Sequence, residues 1–139
     1  LKDVGDDLQR GACFLPLDLL EGSGVSPEAI LEAENREAVM GVMELVVGRA
    51  QGHLQNAREY IRQWPTQEGK SIRMFAIVPL VLAVASLALI QKGGESVLTK
   101  DQNPKVSREF VALVVSRAGH AAEDNLELDR LLDLAVLYE

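Results

Sequence analysis

The segment Arg36-Glu-Ala-Val39-Met40-Gly-Val-Met43-Glu-Leu-Val46-Val-Gly-Arg-Ala50-Gln-Gly-His53-Leu54-Gln-Asn-Ala57-Arg-Glu-Tyr-Ile61-Arg-Gln-Trp64 decides the fold. Its apolar residues Val39, Met43, Val46, Ala50, Leu54, Ala57, Ile61 and Trp64 recur every three or four positions. That spacing lines one face of a helix with 3.6 residues per turn, so the segment is predicted to form one long amphipathic helix. Pro65 and Gly69 break it.

Downstream, a second helix is predicted from about Lys70 to Lys92. It is apolar nearly all round and is therefore expected to be buried between neighbours. Gly93 and Gly94 stop it, and a polar loop with Asn103 and Pro104 follows. Ser107 can cap a further helix through about Ala118, and a last one runs from roughly Ala122 to Tyr138. Upstream, Gly11, Pro16, Gly22 and Gly24 mark a connector with one turn of helix at Leu17 to Leu20. Ser26 and Pro27 stand in the order of an N-cap and first helical residue, and predict a short helix ending near Ala33. No segment alternates as a strand would, so the fold class is all-α.

The 139 residues suffice for one core, and 47% apolar residues with only 4% aromatics suit a soluble helical domain. Residues 1–139 are therefore read as belonging to one domain. Leu1 in place of Met, and a charged helix with no lead-in, lead us to expect that the chain is cut from something longer. The formal net charge of -7 argues against a nucleic-acid partner, which demands clustered Lys and Arg. Cys13 is alone, which suggests a reducing, cytoplasmic compartment rather than a disulfide framework. The apolar run from Met74 to Ile90 contains Pro79, is flanked by Arg73 and Lys92, and is read as a core helix rather than a membrane span. His53 and His120 have no partners for a triad or a zinc set, and Met40 and Met43 read as packing residues.

The chemistry is concentrated at the start, in Asp3-Val4-Gly5-Asp6-Asp7. On a helix these three carboxylates share one face about a turn apart. Such a patch is usually solvated surface, but hard oxygen donors at this spacing also suit Mg²⁺, whose remaining ligands can be phosphate oxygens.

The longer string from Asp3 through Arg10-Gly-Ala-Cys-Phe14-Leu-Pro16, with Gly24-Val-Ser-Pro27 beyond it, resembles the second aspartate-rich motif of squalene and phytoene synthases. In those enzymes a D-x-x-E/D-D run leads into Y/F-L-P and a later helix start. Phe75-Ala-Ile-Val-Pro79 resembles their F-x-x-x-P segment, and Lys105-Val-Ser-Arg108 resembles the K-I/V-S-R element of bacterial members. The resemblance covers nearly the whole chain and implies the C-terminal portion of an isoprenoid synthase-type helical bundle.

It further implies that Asp3 and Asp7 are catalytic and, with Asp6, bind Mg²⁺ bridging to a prenyl diphosphate, and that Lys2, Phe14, Phe75 and Pro79 contact substrate. The implied reaction is head-to-head condensation of two farnesyl diphosphates toward a presqualene or squalene-type product, with C20 phytoene-type condensation as the alternative. Metal ions help the diphosphate leave as an allylic carbocation forms, and an apolar, water-free cavity protects it. The helix from Lys70 could supply a wall, with Phe75 offering a π-face. NADPH is a candidate for a reductive second step. The family's first aspartate-rich motif lies upstream, so the missing N-terminal portion of the same domain is an implied partner and the 139 residues alone are expected to be inactive. The family's lipid substrates suggest a cytoplasmic protein in peripheral contact with the membrane.

Two departures stand out: Ala12 where many members have Arg, and Phe14 where many have Tyr. They motivate a competing reading, a non-catalytic helical homologue acting as an assembly or interaction protein. A membrane-associated module built on Met74 to Ile90 is a third.

Overall fold

The computed structural model describes residues 1–98 and 104–139, so Asn103 of the expected polar loop lies outside the described residues. Among the described residues the α-helices are, in order, α1 (Val4–Gln9), α2 (Leu17–Gly22), α3 (Arg36–Gln63), α4 (Lys70–Gly93), α5 (Arg108–Glu123) and α6 (Asn125–Val136). No strand occurs among the described residues. The all-α expectation holds, and α3 ends one residue before the predicted Trp64.

Two compact units divide the chain. The first comprises residues 1–49 and 90–104. Its core gathers Leu15, Leu20, Val25, Ile30, Val39, Val42, Met43, Val97 and Leu98, all buried. The helix expected after Ser26 is replaced by two short 3-10 turns, Pro27–Ala29 and Ala33–Asn35, and Ser26 makes no side-chain cap. The Asn35 side chain donates instead to the Ala29 carbonyl at 3.0 Å, closing this stretch on itself.

Helices α1 and α2 end alike. After α1 the Ala12 N–H donates to the Asp7 carbonyl and Gly11 to Leu8; after α2 Val25 donates to Leu20 and Gly24 to Glu21. Both endings need a left-handed residue, and Gly11 (φ 76°) and Gly24 (φ 73°) supply it at no Cβ cost. Val25 and Leu20, joined by that reversal, are both buried.

The second unit comprises residues 50–89 and 105–139. Its core joins Ile61 of α3, Ile77, Leu80, Val81 and Ala85 of α4, Phe110, Val114 and Ala118 of α5, and Leu128, Leu131 and Leu132 of α6. Ala118, Ala121 and Ala122 are small enough to let α5 and α6 pack closely. Ser107 caps α5 as predicted, its Oγ accepting from the Phe110 N–H at 3.1 Å. Asp124 caps α6 through the Leu126 N–H at 2.8 Å. The Ser107 N–H donates to the Tyr138 hydroxyl, while the Tyr138 ring lies 4.3 Å from that of Phe110, which ties the chain's last turn to the start of α5.

Helix α4 corrects one expectation: it is not buried on all sides. Arg73, Ile77, Leu80, Val81, Ala85 and Ala88 form its buried face. Ile72, Met74, Phe75 and Pro79 stay open, because within the second unit this part of α4 packs on one side only. Lys70–Leu98 is long and apolar enough to cross a membrane by length and composition, yet 28% of its most apolar stretch is buried within the chain. Pro79 sits inside α4 without breaking it. It withholds one N–H from the carbonyl four residues back, on the open face where water can replace it.

Candidate active site

The acidic patch is built on α1. Asp3 precedes the first helical residue and its carbonyl accepts from the Asp7 N–H at 2.9 Å, so the two residues stand one turn apart. Asp6 and Asp7 fall in the first turn, where the exposed N–H groups of a helix favour negative charge. Val4 and Gly5 turn inward, and α1 packs against the 3-10 turn Gly94–Leu98. All three aspartates are half-buried. Lys2 is exposed and pairs with Asp3 at 3.6 Å, and the Arg10 side chain is exposed at the far end of the helix.

Asp7 and Phe14 come together at one shallow hollow, whose lining also includes Val4, Leu8, Cys13 and Leu15. The Gly11 reversal is what folds Phe14 back toward Asp7. Phe14 remains 78% exposed, so its ring is an available surface rather than core. Phe75, at 84% exposure, and Pro79 belong to the second unit. Cys13 is half-buried and its thiol faces the Leu15 carbonyl. His53 and His120 are exposed; Met43 is core, as expected of a packing residue, and Met40 is half-buried.

Among the described residues, no group of three His, Cys, Asp or Glu side chains converges closely enough to hold a metal ion unaided. This donor set still fits Mg²⁺ in kind. That ion keeps several waters and is ordinarily held by one or two carboxylates together with substrate phosphates, not by an all-protein cage. Asp3 and Asp7, a turn apart on a half-exposed face, can offer that number.

Residues 1–109 match the squalene/phytoene synthase family. The chain belongs to it. Among curated relatives, the 15-cis-phytoene synthase of Synechocystis sp. is 32% identical over 71 residues, 47% of this chain and 21% of its own length. The phytoene synthase 3, chloroplastic, of Zea mays is 36% identical over 59 residues, 42% of this chain and 14% of its own. The 15-cis-phytoene synthase of Enterobacter agglomerans is 23% identical over 120 residues, 86% of this chain and 39% of its own. The chain thus spans well under half the length of these relatives. No solved structure matches it.

Two polar centres of the second unit escape the sequence reading. Asp129 on α6 receives Arg58 at 3.0 and 2.8 Å and Arg62 at 2.8 Å, both from α3. Burial pushes the Asp129 carboxyl up, but the hydrogen bonds and charges of Arg62 and Arg58 outweigh it and hold the group below its ordinary value. The arginines are four apart on one helix face, which is the sequence signal for a shared partner. The other centre is Arg73, which reads as a charged flank of an apolar run yet is completely buried. The signal was its place four residues before Ile77, on the core stripe of α4. Lys70 and Glu123 also pair, and that hydrogen bond lowers the Glu123 carboxyl.

Proposed function

We propose that this protein contributes the second aspartate-rich half-site of an enzyme that condenses two prenyl diphosphates head to head. The observation that carries the reading is the placement of Asp3, Asp6 and Asp7 along one short half-buried helix, inside a segment matching the squalene/phytoene synthase family. Asp3 and Asp7 would hold Mg²⁺ against the diphosphate, with Asp6 beside them. When bound, the ion supplies charge withdrawal from the leaving diphosphate. Lys2 adds a point charge suited to phosphate oxygens. Phe14 presents an aromatic surface beside Asp7, and the open apolar face of α4 around Phe75 and Pro79 is suited to a chamber that keeps water from a carbocation.

The relatives' names support the C20, phytoene-type substrate at least as well as the C15, squalene-type one. NADPH belongs to this proposal only on the C15, squalene-type reading, as the reductant of a second step. The remaining carboxylates of the metal cluster would come from a part of the same protein outside these 139 residues, a reading consistent with how little of its relatives' length the chain spans. The open face of α4 also suits transient contact of a cytoplasmic enzyme with a membrane surface, from which prenyl chains can enter.

The test is Mg²⁺-dependent release of pyrophosphate from geranylgeranyl and farnesyl diphosphate by the longest natural form of the protein. Asp3→Asn and Asp7→Asn should each remove most of that release, by about a hundredfold or more given what loss of a metal ligand costs, while leaving the helical circular dichroism intact. Full turnover in both variants would reject them as ligands. Absence of turnover in the unaltered protein would favour the non-catalytic homologue that Ala12 and Phe14 suggest.

A further inference from the structure

We propose that Arg73 is a positioning residue for this reaction, its guanidinium fixing the rotation of α4 and hence the direction in which Phe75 and Pro79 project. The Arg73 side chain is completely buried and all five of its N–H donors find acceptors. Nε donates to the Ala122 carbonyl at 2.7 Å, Nη1 to those of Ile61 at 2.7 Å and Trp64 at 3.1 Å, and Nη2 to Asn125 Oδ1 at 2.7 Å and the Ala121 carbonyl at 3.4 Å. Four of these acceptors are backbone carbonyls at the C-terminal ends of α3 and α5, where helices leave C=O groups unpaired and carry partial negative charge. The fifth opens α6.

A planar fork with five donors meets such a set in one orientation, whereas an ammonium group offers three donors around a point. Phe75 lies two residues on, about 200° around the helix at 3.6 residues per turn. The clasp therefore faces into the second unit while Phe75 faces away from it. Ile77 and Leu80 make apolar contacts that carry no direction, whereas the five directed bonds of the guanidinium make it the rotational stop at the N-terminal end of α4. Burial also pushes the Arg73 guanidinium down from its ordinary value, although an arginine remains charged at any physiological pH.

The inference rests on the proposed role of the α4 face as a chamber wall, and its test separates the two. In the longest natural form of the protein, Arg73→Lys and the milder Asn125→Ala are assayed with Mg²⁺ and geranylgeranyl diphosphate, at a temperature where circular dichroism shows each variant folded. Two fates of the ionised substrate are counted, coupled product and prenyl alcohol. In the second, the allylic C–O bond breaks with its electron pair leaving on the diphosphate, a water oxygen adds to the carbon, and a proton passes to solvent. For Arg73→Lys the ratio of alcohol to coupled product is expected to rise about tenfold, within the roughly hundredfold that a 1 Å misplacement can cost, with a smaller rise for Asn125→Ala. Pyrophosphate release, which depends on Asp3 and Asp7, should change far less. An unchanged ratio in folded variants would show that Arg73 only holds the fold together, and if Arg73→Lys does not fold, Asn125→Ala decides the matter the same way. If the unaltered protein releases no pyrophosphate, the functional reading itself is overturned and the role of Arg73 goes with it.

Discussion

Phe75 and Ile77 lie two residues apart on α4 and should respond oppositely to the same truncation. A phenylalanine buries roughly 200 Å² when fully packed. At 84% exposure only a sixth of the Phe75 side chain is out of water, or about 30 Å², worth at most about 0.8 kcal/mol at ~25 cal/mol per Å². Alanine returns a few tenths of a kcal/mol as the better helix former, so Phe75→Ala should leave the 139-residue chain within about 0.5 kcal/mol of its original stability. Ile77 has no exposed surface and sits in the core with Leu80, Val81 and Leu128. Its truncation to alanine should cost about 2–5 kcal/mol through lost burial and the cavity left behind. With a urea slope of about 2 kcal/mol per M, the middle of the range for small proteins, the unfolding midpoint should fall by about 1–2.5 M for Ile77→Ala and barely move for Phe75→Ala. Equal losses would mean that Phe75 is packed within the chain, and the open apolar face on which the chamber reading depends would have to be abandoned.

Three other perturbations probe separate features. Asp129→Asn should lower stability at neutral pH by on the order of 1–2 kcal/mol, a half-exposed charge-assisted pair being worth less than a buried one. Because Arg62 and Arg58 depress the Asp129 carboxyl below its unfolded value of about 3.9, this stabilisation is complete above that unfolded value and fades as the pH falls through the lower folded one. Urea midpoints of the variant and unaltered chain should therefore converge in strong acid; a gap that persists there would point to packing rather than charge. Ser107→Ala removes the acceptor for the Phe110 N–H and should cost about 1 kcal/mol, read as a lower thermal midpoint. Gly24→Ala forces an L side chain to φ 73° and should cost about 1–2 kcal/mol, whereas Gly22→Ala, inside α2 with open space at its Cβ, should cost nothing or add stability.

The helical skeleton was legible because its signals are local. The period of Val39 through Ile61, the stop at Pro65 and the Ser107 cap each depend on a few neighbouring residues, and each has its counterpart in the structure. The stretch after Ser26 was misread since a cap residue and a proline say where a turn begins, not whether enough apolar contacts follow to extend it. Burial of α4 was misjudged for a related reason: an apolar surface states a demand for cover, and composition cannot say which residues meet it. Arg73 stands on the core stripe of α4 but carries a charge, and what lets it be buried is a set of carbonyls at the ends of two other helices, Ile61 and Ala122 among them, which its neighbours in sequence do not announce. Of the candidate site, the carboxylate spacing is legible in the Asp3-to-Asp7 run, whereas the hollow joining Asp7 to Phe14 depends on the reversal at Gly11, which the sequence reading takes only as a connector. Phe75 and Pro79 belong to that reading only through resemblance.

The charges around α1 give the metal requirement a signature that ordinary loss of activity lacks. Asp3, Asp6 and Asp7 are accompanied nearby in sequence by Lys2 and Arg10, and Lys2 is already paired with Asp3. Arg58, Arg62, Arg73, Lys70 and Arg130 are all engaged within the second unit. A diphosphate approaching α1 without divalent cations thus meets a net negative patch, where like charges a few ångströms apart repel by about 1–4 kcal/mol at surface dielectrics. Binding of a non-ionisable prenyl thiodiphosphate, measured by calorimetry on the longest natural form, should therefore be about 100-fold weaker in chelator than in Mg²⁺. Asp7→Asn should weaken binding when Mg²⁺ is present, because a ligand is lost, yet strengthen the residual binding in chelator, because a repelling charge is lost. A simple structural role for Asp7 predicts weakening under both conditions, and that outcome would refute metal-mediated recognition even if the variant were inactive.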